Sequence, residues 1–220
     1  MSGRKWRFLD LGLIDFGELI RIQDRLWEER VSGGGADTIL FAEHPTVISL
    51  GVRPREEQMR FVRVPLAELA ARNISIYETR RGGSITIHAP GILGCYVVAQ
   101  VPTFGMGVVP WLEQVSSEAL RACGLETHFK KPPVGVGSAK YRGLWTARGK
   151  IASVGVHCSH NVTRFGVSIN VSADADVLTI VHPCGIEEYS LTTLALEGVD
   201  APVSEIKEVV RRVVAHTPLH

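Results

Sequence analysis

Two residues far apart in the chain have the chemistry of a nucleophile and its activating group. Cys184 lies in the tetrapeptide Pro183–Ile186, directly after the apolar stretch Val177–Val181. The proline fixes φ on one side and the glycine permits close approach on the other, so a turn there would present the thiol to a substrate. Lys150 opens an apolar segment, where a lysine ammonium would be partly desolvated and could stabilise a thiolate. Each residue alone also fits an ordinary role, an inert cysteine at a strand end or an exposed lysine.

A zinc site is the competing interpretation of the same cysteine. Cys158 and His160 are two residues apart, as are His182 and Cys184, and on adjacent strands the four could surround a metal ion. Both pairs are closer in sequence than common zinc-ligand spacings, and there is no C-x-x-C pair. We therefore expect no bound metal, no other cofactor and, in a chain long enough to build its own core, no disulfide.

Three segments rich in glycine and small polar residues could bind a substrate. In the first, paired glycines follow paired arginines, so the backbone could approach a ligand whose polar head N–H groups and a guanidinium would hold. In the second, Ser153 and Gly155 follow Lys150 and offer side-chain and backbone hydrogen bonds. In the third, Asn170 could fix the turn after its strand. The first segment comprises Arg81, Gly82, Gly83, Ser84, Ile85, Thr86, Ile87 and His88, and the others add Val154, Gly166, Val167 and Ser168.

Composition excludes several classes of function. The 220 residues are 45% hydrophobic and 21% charged, which is typical of a globular protein, and we expect one domain over residues 1–220. The net charge of +1 gives no basic field for nucleic acid. No apolar run is long enough to span a bilayer, and the basic start lacks a signal-like apolar core. The sequence therefore predicts a cytoplasmic protein that binds neither nucleic acid nor membrane.

Helical periodicity predicts four helices. They begin near Phe16, with Asp15 as its N-cap, near Val64 and Val109, and after Ser204 as an N-cap. Since no helix regularly follows each strand, the pattern predicts an α+β fold with a mixed or antiparallel β-sheet and packed helices. The predicted strands are Thr38–Phe41, Thr46–Leu50, Ile74–Glu78, Ser84–His88, Gly94–Val101, Gly143–Ala147, Lys150–Cys158 and Arg164–Val171.

Taken together, these motifs resemble the lipoyl(octanoyl) transferase family over about residues 36–190. The motifs are Glu43-His44-Pro45 with Gly51, Arg81-Gly82-Gly83 with Thr86, His88, Pro90 and Gly91, Lys150-Ile151-Ala152-Ser153 with Gly155, then Asn170, and Pro183-Cys184-Gly185-Ile186. The chain departs from the family pattern at Ala89, Ile92, Phe165 and Ser168, where a glycine, a glutamine, a histidine and an alanine are usual.

The resemblance implies a fold like that of biotin and lipoate ligases, with a smaller second sheet. It implies that Cys184 carries an octanoyl group as a thioester, taken from acyl carrier protein, and that Lys150 tunes the thiol. The acceptor would be a lysine on a lipoyl domain of a 2-oxoacid dehydrogenase or on the glycine cleavage H protein. The ranges 81–88, 153–155 and 166–168 would line the acyl pocket.

Two alternatives stay open. An ATP-dependent lipoate or biotin ligase would share the fold and need no cysteine, and a binding module would hold the same partners without turnover. If the chain is a transferase, we expect the acyl tail to lie in an apolar slot lined by Ile85, Ile87 and Val167, or by their alternating neighbours.

Overall fold

The computed structural model describes residues 6–105, 107–132, 141–182 and 190–217. Within these ranges the strands form a six-stranded sheet and a three-stranded sheet, with helices packed on them. The elements in chain order are β1 (Arg7–Leu13), α1 (Phe16–Val31), β2 (Thr38–Glu43), β3 (Val47–Leu50), α2 (Arg55–Met59), α3 (Leu66–Ala71), β4 (Ser75–Glu78), β5 (Thr86–His88), β6 (Ile92–Val98), α4 (Val108–Ala122), β7 (Gly143–Trp145), β8 (Lys150–Ser159), β9 (Val162–Asn170), α5 (Ala175–Leu178) and α6 (Val203–His216).

Both sheets are mixed, as the sequence predicted for the main one. The large sheet has the order β1-β2-β6-β9-β8-β7, in which β1 is parallel to β2 and every other neighbouring pair is antiparallel. The small sheet has the order β4-β3-β5, with β3 parallel to β4 and antiparallel to β5. The predicted α+β class and the smaller second sheet are confirmed.

The two faces of the large sheet have different side chains. One face carries Cys95, Val167 and Ile169, which pack with α4 and α6 in the main hydrophobic core. Because side chains alternate along a strand, the residues between them point to the other face. On that face Gly155 of β8 pairs with Gly166 of β9. Because neither residue has a side chain, the backbone is uncovered beneath the small sheet.

The small sheet has a hydrophobic core of its own. Ile48 and Leu50 of β3 pack with Ile85 and Ile87, and the segment that follows α5 adds Ile180. These side chains lie on the face of the small sheet that points away from the large one. A third apolar cluster joins the sheets, in which Val47 of β3 and Tyr77 of β4 pack with Tyr96 of β6 and Phe16 of α1.

The helix starts test the capping predictions. Asp15 caps α1, because its carboxylate accepts a hydrogen bond of 3.0 Å from the Glu18 N–H. The prediction that Ser204 caps the last helix is wrong, since α6 begins at Val203 with Pro202 as N-cap. The φ of Pro202 is −72°, close to the value that the proline ring fixes, and the helix begins there without a side-chain cap.

Two elements were not predicted, and one apolar stretch folds in another way. The strand β1 lacks clean alternation and is held by its pairing with β2 and by a 2.9 Å ion pair between Asp10 and Lys207 of α6. The helix α2 is a single short turn. The stretch before the Cys184 motif starts as helix α5 and only Val181 forms a β-bridge, to Val62.

In the parts of the chain that the structure describes, no helix has both the length and the apolar character needed to cross a membrane. The single domain and the cytoplasmic location stay predictions.

Candidate active site

The arginine and glycine turn before β5 packs directly on β8. The Gly82 N–H donates a hydrogen bond of 2.8 Å to the Val156 carbonyl, which joins the small sheet to the large one. A Cβ added to Gly155 would lie 2.9 Å from the Gly82 carbonyl oxygen, so only glycine allows this approach. The sequence predicted close backbone approach at these glycines, and the structure shows that one partner is another strand of the protein.

A narrow slot lies between the sheets beyond this contact. Its free volume is about 30 Å³, room for one or two water molecules. The small sheet contributes Ser84, Thr86 and His88, and the rings of Phe16 and Phe165 also line it. The remaining lining residues are Arg81, Gly83, Tyr96, Ser153, Val154, Gly155, Gly166, Val167 and Ser168. The three predicted substrate segments thus meet at one place.

Strand alternation decides which members of those segments face the slot. Ile85 and Ile87 belong to the small-sheet core, and the Val167 side chain belongs to the main core. Their alternating neighbours are the ones whose side chains face the slot. Its walls are therefore lined by serine, threonine, histidine and glycine as well as by aromatic rings.

Arg81, whose guanidinium the sequence indicated for a ligand head, is buried and bonds to the protein itself. Its guanidinium donates to the Ser49 carbonyl at 2.7 Å, to the Ser49 hydroxyl at 2.9 Å and 3.2 Å, and to the Gly82 carbonyl at 3.1 Å. These bonds fix the loop against β3. The sequence indicated a guanidinium for a ligand head but gave no sign of Ser49, which lies 32 residues earlier.

Two buried imidazoles lie at the other end of β5. His44 contacts the Ile14 carbonyl through Nδ1 at 2.7 Å and the Tyr96 hydroxyl through Nε2 at 2.8 Å. His88 contacts the Ser49 hydroxyl through Nε2 at 3.0 Å, and its ring centroid lies 5.7 Å from that of His44. Burial lowers the pKa of His44 and lowers that of His88 well below the ordinary value, so both rings are neutral at pH 7. The sequence named His44 within a motif but gave it no role.

These neutral histidines predict a stability that falls on mild acidification. Below pH about 6.5 an unfolded histidine takes up a proton that the buried His44 and His88 do not, so the unfolded state binds more protons. The free energy of unfolding should then drop by up to about 1.4 kcal/mol per pH unit for each ring. Urea titrations between pH 7.5 and 5.5 measure this slope.

One variant assigns the slope to the buried rings. His88→Phe should reduce the slope, because it removes one of the two rings that stay neutral in the folded protein. A free energy of unfolding that stays constant or rises between pH 7.5 and 5.5 would contradict neutral burial.

Lys150 begins β8 with its side chain completely buried, which goes beyond the partial desolvation that the sequence suggested. Its Nζ lies 5.3 Å from the centroid of the Trp145 ring, and the Nζ of Lys130 lies 4.9 Å from the same ring. Trp145 is also fully buried and donates its indole N–H to the Tyr141 carbonyl at 3.0 Å. The Lys150 side chain therefore lies against an aromatic face, with Nζ over the ring.

The segment that carries the predicted nucleophile rejoins the described chain at Lys150. Cys184 lies outside the described residues, with its neighbours from 183 to 189. At residue 190 the Ser190 carbonyl accepts a bond of 2.9 Å from the Lys150 N–H. Asn170 donates to the Thr192 carbonyl at 2.9 Å and to the Lys150 carbonyl at 3.3 Å, so its side chain holds the segment after residue 190 against β8 and not the turn directly after its own strand.

The described cysteines are poor nucleophiles. Burial raises the pKa of the Cys95 thiol to about 12, and it also raises the pKa of Cys123 and of Cys158. These thiols stay protonated at neutral pH, and a protonated thiol attacks carbonyls weakly. By comparison, the position of Cys184 in sequence makes it the better candidate.

The alternative zinc site finds no support in the part of the chain that is described. Cys158 and His160 lie at the β8–β9 turn, where His160 contacts Trp27, whereas the His182 N–H bonds to Phe61 beside the small sheet. Among the described residues no three histidine, cysteine or carboxylate side chains are grouped as metal ligands.

Comparison with known proteins agrees with this geometry. Residues 15–217 match the family of lipoyl protein ligase A/B catalytic domains. The chain belongs to this family. It is 32% identical to an octanoyltransferase of Acidobacterium capsulatum over 218 residues, covering 92% of this chain and 84% of the relative. It is 36% identical to an octanoyltransferase of Chloroflexus aurantiacus over 211 residues, covering 93% and 89%.

Solved structures confirm the fold. The chain superposes on lipoate-protein ligase A bound with ATP with a TM-score of 0.69 and 17% identity, covering 98% of this chain and 85% of the other. It superposes on an archaeal bipartite lipoate protein ligase from Thermoplasma acidophilum with a TM-score of 0.71 and 16% identity, covering 96% and 83%. At these identities the likeness concerns the fold, and it confirms the predicted lipoate ligase-like architecture.

Proposed function

We propose that this chain is an octanoyltransferase of lipoate biosynthesis that carries the acyl group on Cys184. Family membership and octanoyltransferase relatives at 30–36% identity over most of the chain support octanoyl transfer. The observation that carries the site assignment is the buried Lys150 on Trp145, at the point where the segment containing Cys184 rejoins the described chain.

The reaction divides into two half-reactions. The Cys184 thiolate attacks the carbonyl of the donor thioester, a new carbon–sulfur bond forms, and the carrier thiolate leaves and takes a proton. A neutral lysine amine of the acceptor then attacks the acyl-enzyme, an amide bond forms, the Cys184 thiolate leaves, and the amine gives up a proton. Two lower barriers replace one high barrier.

Lys150 has two roles compatible with its position. As an ammonium it would stabilise the Cys184 thiolate by its charge. As a neutral amine it would take the proton from the thiol or from the incoming lysine. The two groups would titrate as a coupled pair, so both roles are carried into the experiments.

The partners follow from the proposed reaction. The donor would be acyl carrier protein, whose thioester supplies the octanoyl group. The acceptor would be a lipoyl domain of a 2-oxoacid dehydrogenase or the glycine cleavage H protein. A structural neighbour that acts with an E2 lipoyl domain in Thermoplasma acidophilum supports acceptors of this class.

Intact-mass measurement separates the proposed function from its alternatives. The purified chain is mixed with octanoyl acyl carrier protein, without ATP, and then with a lipoyl domain. We expect one octanoyl mass on the chain, which hydroxylamine removes, followed by the same mass on the lipoyl domain. An absolute requirement for ATP and free octanoate would identify a ligase, and binding of both partners without mass transfer would identify a binding module.

A further inference from the structure

The slot has two ends over different strands. At one end lies Ser153 of β8, which pairs with Gly143, and a Cβ added to Gly143 would lie 3.0 Å from Cε of Lys150. At the other end His88 lies against His44, which bonds to the Tyr96 hydroxyl from β6. Strand β9 separates β8 from β6, so the two ends are about 10 Å apart. An acyl chain held near Lys150 would therefore extend toward His88.

The hydrogen-bond partners of Ser49 decide which nitrogen of His88 carries its proton. The Ser49 hydroxyl oxygen accepts two bonds from Arg81, so its O–H is left to donate to Nε2 of His88. The ring is neutral, since burial lowers its pKa, and its single proton must lie on Nδ1. His88 therefore presents an N–H group.

That N–H group has no partner among the described residues. His88 is 6% exposed, its Nδ1 is completely buried, and no hydrogen-bond acceptor lies in reach. A buried donor without an acceptor is costly, so such groups usually face a water molecule or a ligand atom. Here the atom belongs to a residue that lines the slot, whose volume is sufficient for a water molecule.

We propose that His88 is a specificity-determining residue that gives the slot a polar end, which binds an oxygen atom. The inference rests on the proposed function. In the free enzyme and behind short acyl chains the oxygen is that of a water molecule. A longer chain ending in a methyl group displaces this water and leaves the His88 N–H without an acceptor. A chain of the same length ending in a hydroxyl also displaces the water, but its oxygen then accepts the hydrogen bond. His88 thus limits the length of plain acyl chains and admits oxygen-terminated ones.

The test compares acyl chains that differ only in their last atom. Acyl carrier protein is loaded with ω-hydroxyacyl chains of six to twelve carbons and, for each, with the unsubstituted chain that has one more carbon. The second-order rate constant of acyl-enzyme formation is measured by intact mass. We expect the hydroxyl-to-methyl rate ratio to pass through a maximum at one length, at least about tenfold above the ratio for chains two carbons shorter.

Variants test whether His88 causes the maximum in the hydroxyl-to-methyl rate ratio. His88→Phe keeps an aromatic ring but has no N–H, so it should remove the maximum. It should also allow longer unsubstituted acyl chains to react. His216→Phe, a histidine far along the chain on α6, should keep both properties of the natural protein. If His88→Phe does not fold, Ser49→Ala takes its place, because it removes the hydroxyl that holds the proton on Nδ1 and should lower the maximum.

The outcomes separate this inference from the proposed function. A ratio that changes smoothly with length, or a maximum that survives in His88→Phe, would overturn the role of His88 while octanoyl transfer stands. Ser84, whose hydroxyl also lacks a partner among the described residues, lies four positions nearer the loop and would produce a maximum unaffected by His88→Phe. Failure of the octanoyl donor to acylate the natural protein would instead refute the proposed function.

Discussion

Cys184→Ser is expected to abolish formation of the acyl-enzyme. A serine hydroxyl at this position has no comparable anionic form at neutral pH, whereas a thiolate is both populated and strongly nucleophilic. The rate of acylation by octanoyl acyl carrier protein should fall by at least about a thousandfold, measured as octanoyl mass on the chain over time. The melting temperature should change little, which is checked by circular dichroism.

The other cysteines provide the controls for this variant. Cys158→Ser and Cys123→Ser should acquire the octanoyl mass at the rate of the natural protein, because burial raises the pKa of both thiols and keeps them unreactive. Octanoyl transfer to any cysteine in the Cys184→Ser protein, at the natural rate, would remove Cys184 from the mechanism.

Lys150→Ala is expected to slow acylation strongly while the fold survives. If the Lys150 ammonium stabilises the thiolate, its loss reduces the fraction of Cys184 that can react, and we expect a drop of about a hundredfold. Iodoacetamide tests the thiolate without any acyl substrate. In Lys150→Ala the rate of Cys184 alkylation near neutral pH should be lower than in the natural protein. This rate should recover at alkaline pH.

Two further variants, Lys150→Arg and Lys130→Ala, test whether Lys150 acts through its charge or through proton transfer. Lys150→Arg should restore part of the alkylation rate, because a positive charge is sufficient for it, but little transfer to the acceptor if a neutral amine is also required. Lys130→Ala is the matched control, since its ammonium lies at a similar distance from Trp145. Equal effects of Lys130→Ala and Lys150→Ala on alkylation would mean that Lys150 has no special relation to Cys184.

The sequence predicted well whatever depends on neighbouring residues. The start of α1 at Phe16 and the α+β class follow from local patterns of capping, alternation and turn residues, whereas the meeting of the three glycine-containing segments was implied by the family resemblance. It predicted poorly the contacts made across the fold. The pairing of Arg81 with Ser49, and that of Lys150 with Trp145 across a bulge, depends on how strands stack and register.

The direction of the side chains around the slot shows the same limit. Alternation restricts Ile85 and Thr86 to opposite faces, but only the packing of the small sheet decides which face meets the large sheet. The strand β1 escaped prediction because its stability comes from pairing with β2 and from the Asp10–Lys207 ion pair, neither of which leaves a periodic signal.

The packing around the slot has a mechanical consequence. A slot of about 30 Å³ must widen to take an eight-carbon chain, and close-packed interiors deform little. Val47 of β3 belongs to an apolar cluster that it shares with Tyr96 of the large sheet. At Gly82 the described contact between the sheets is a backbone hydrogen bond to Val156, which water can replace. We therefore expect the sheets to separate more readily at Gly82 than at Val47.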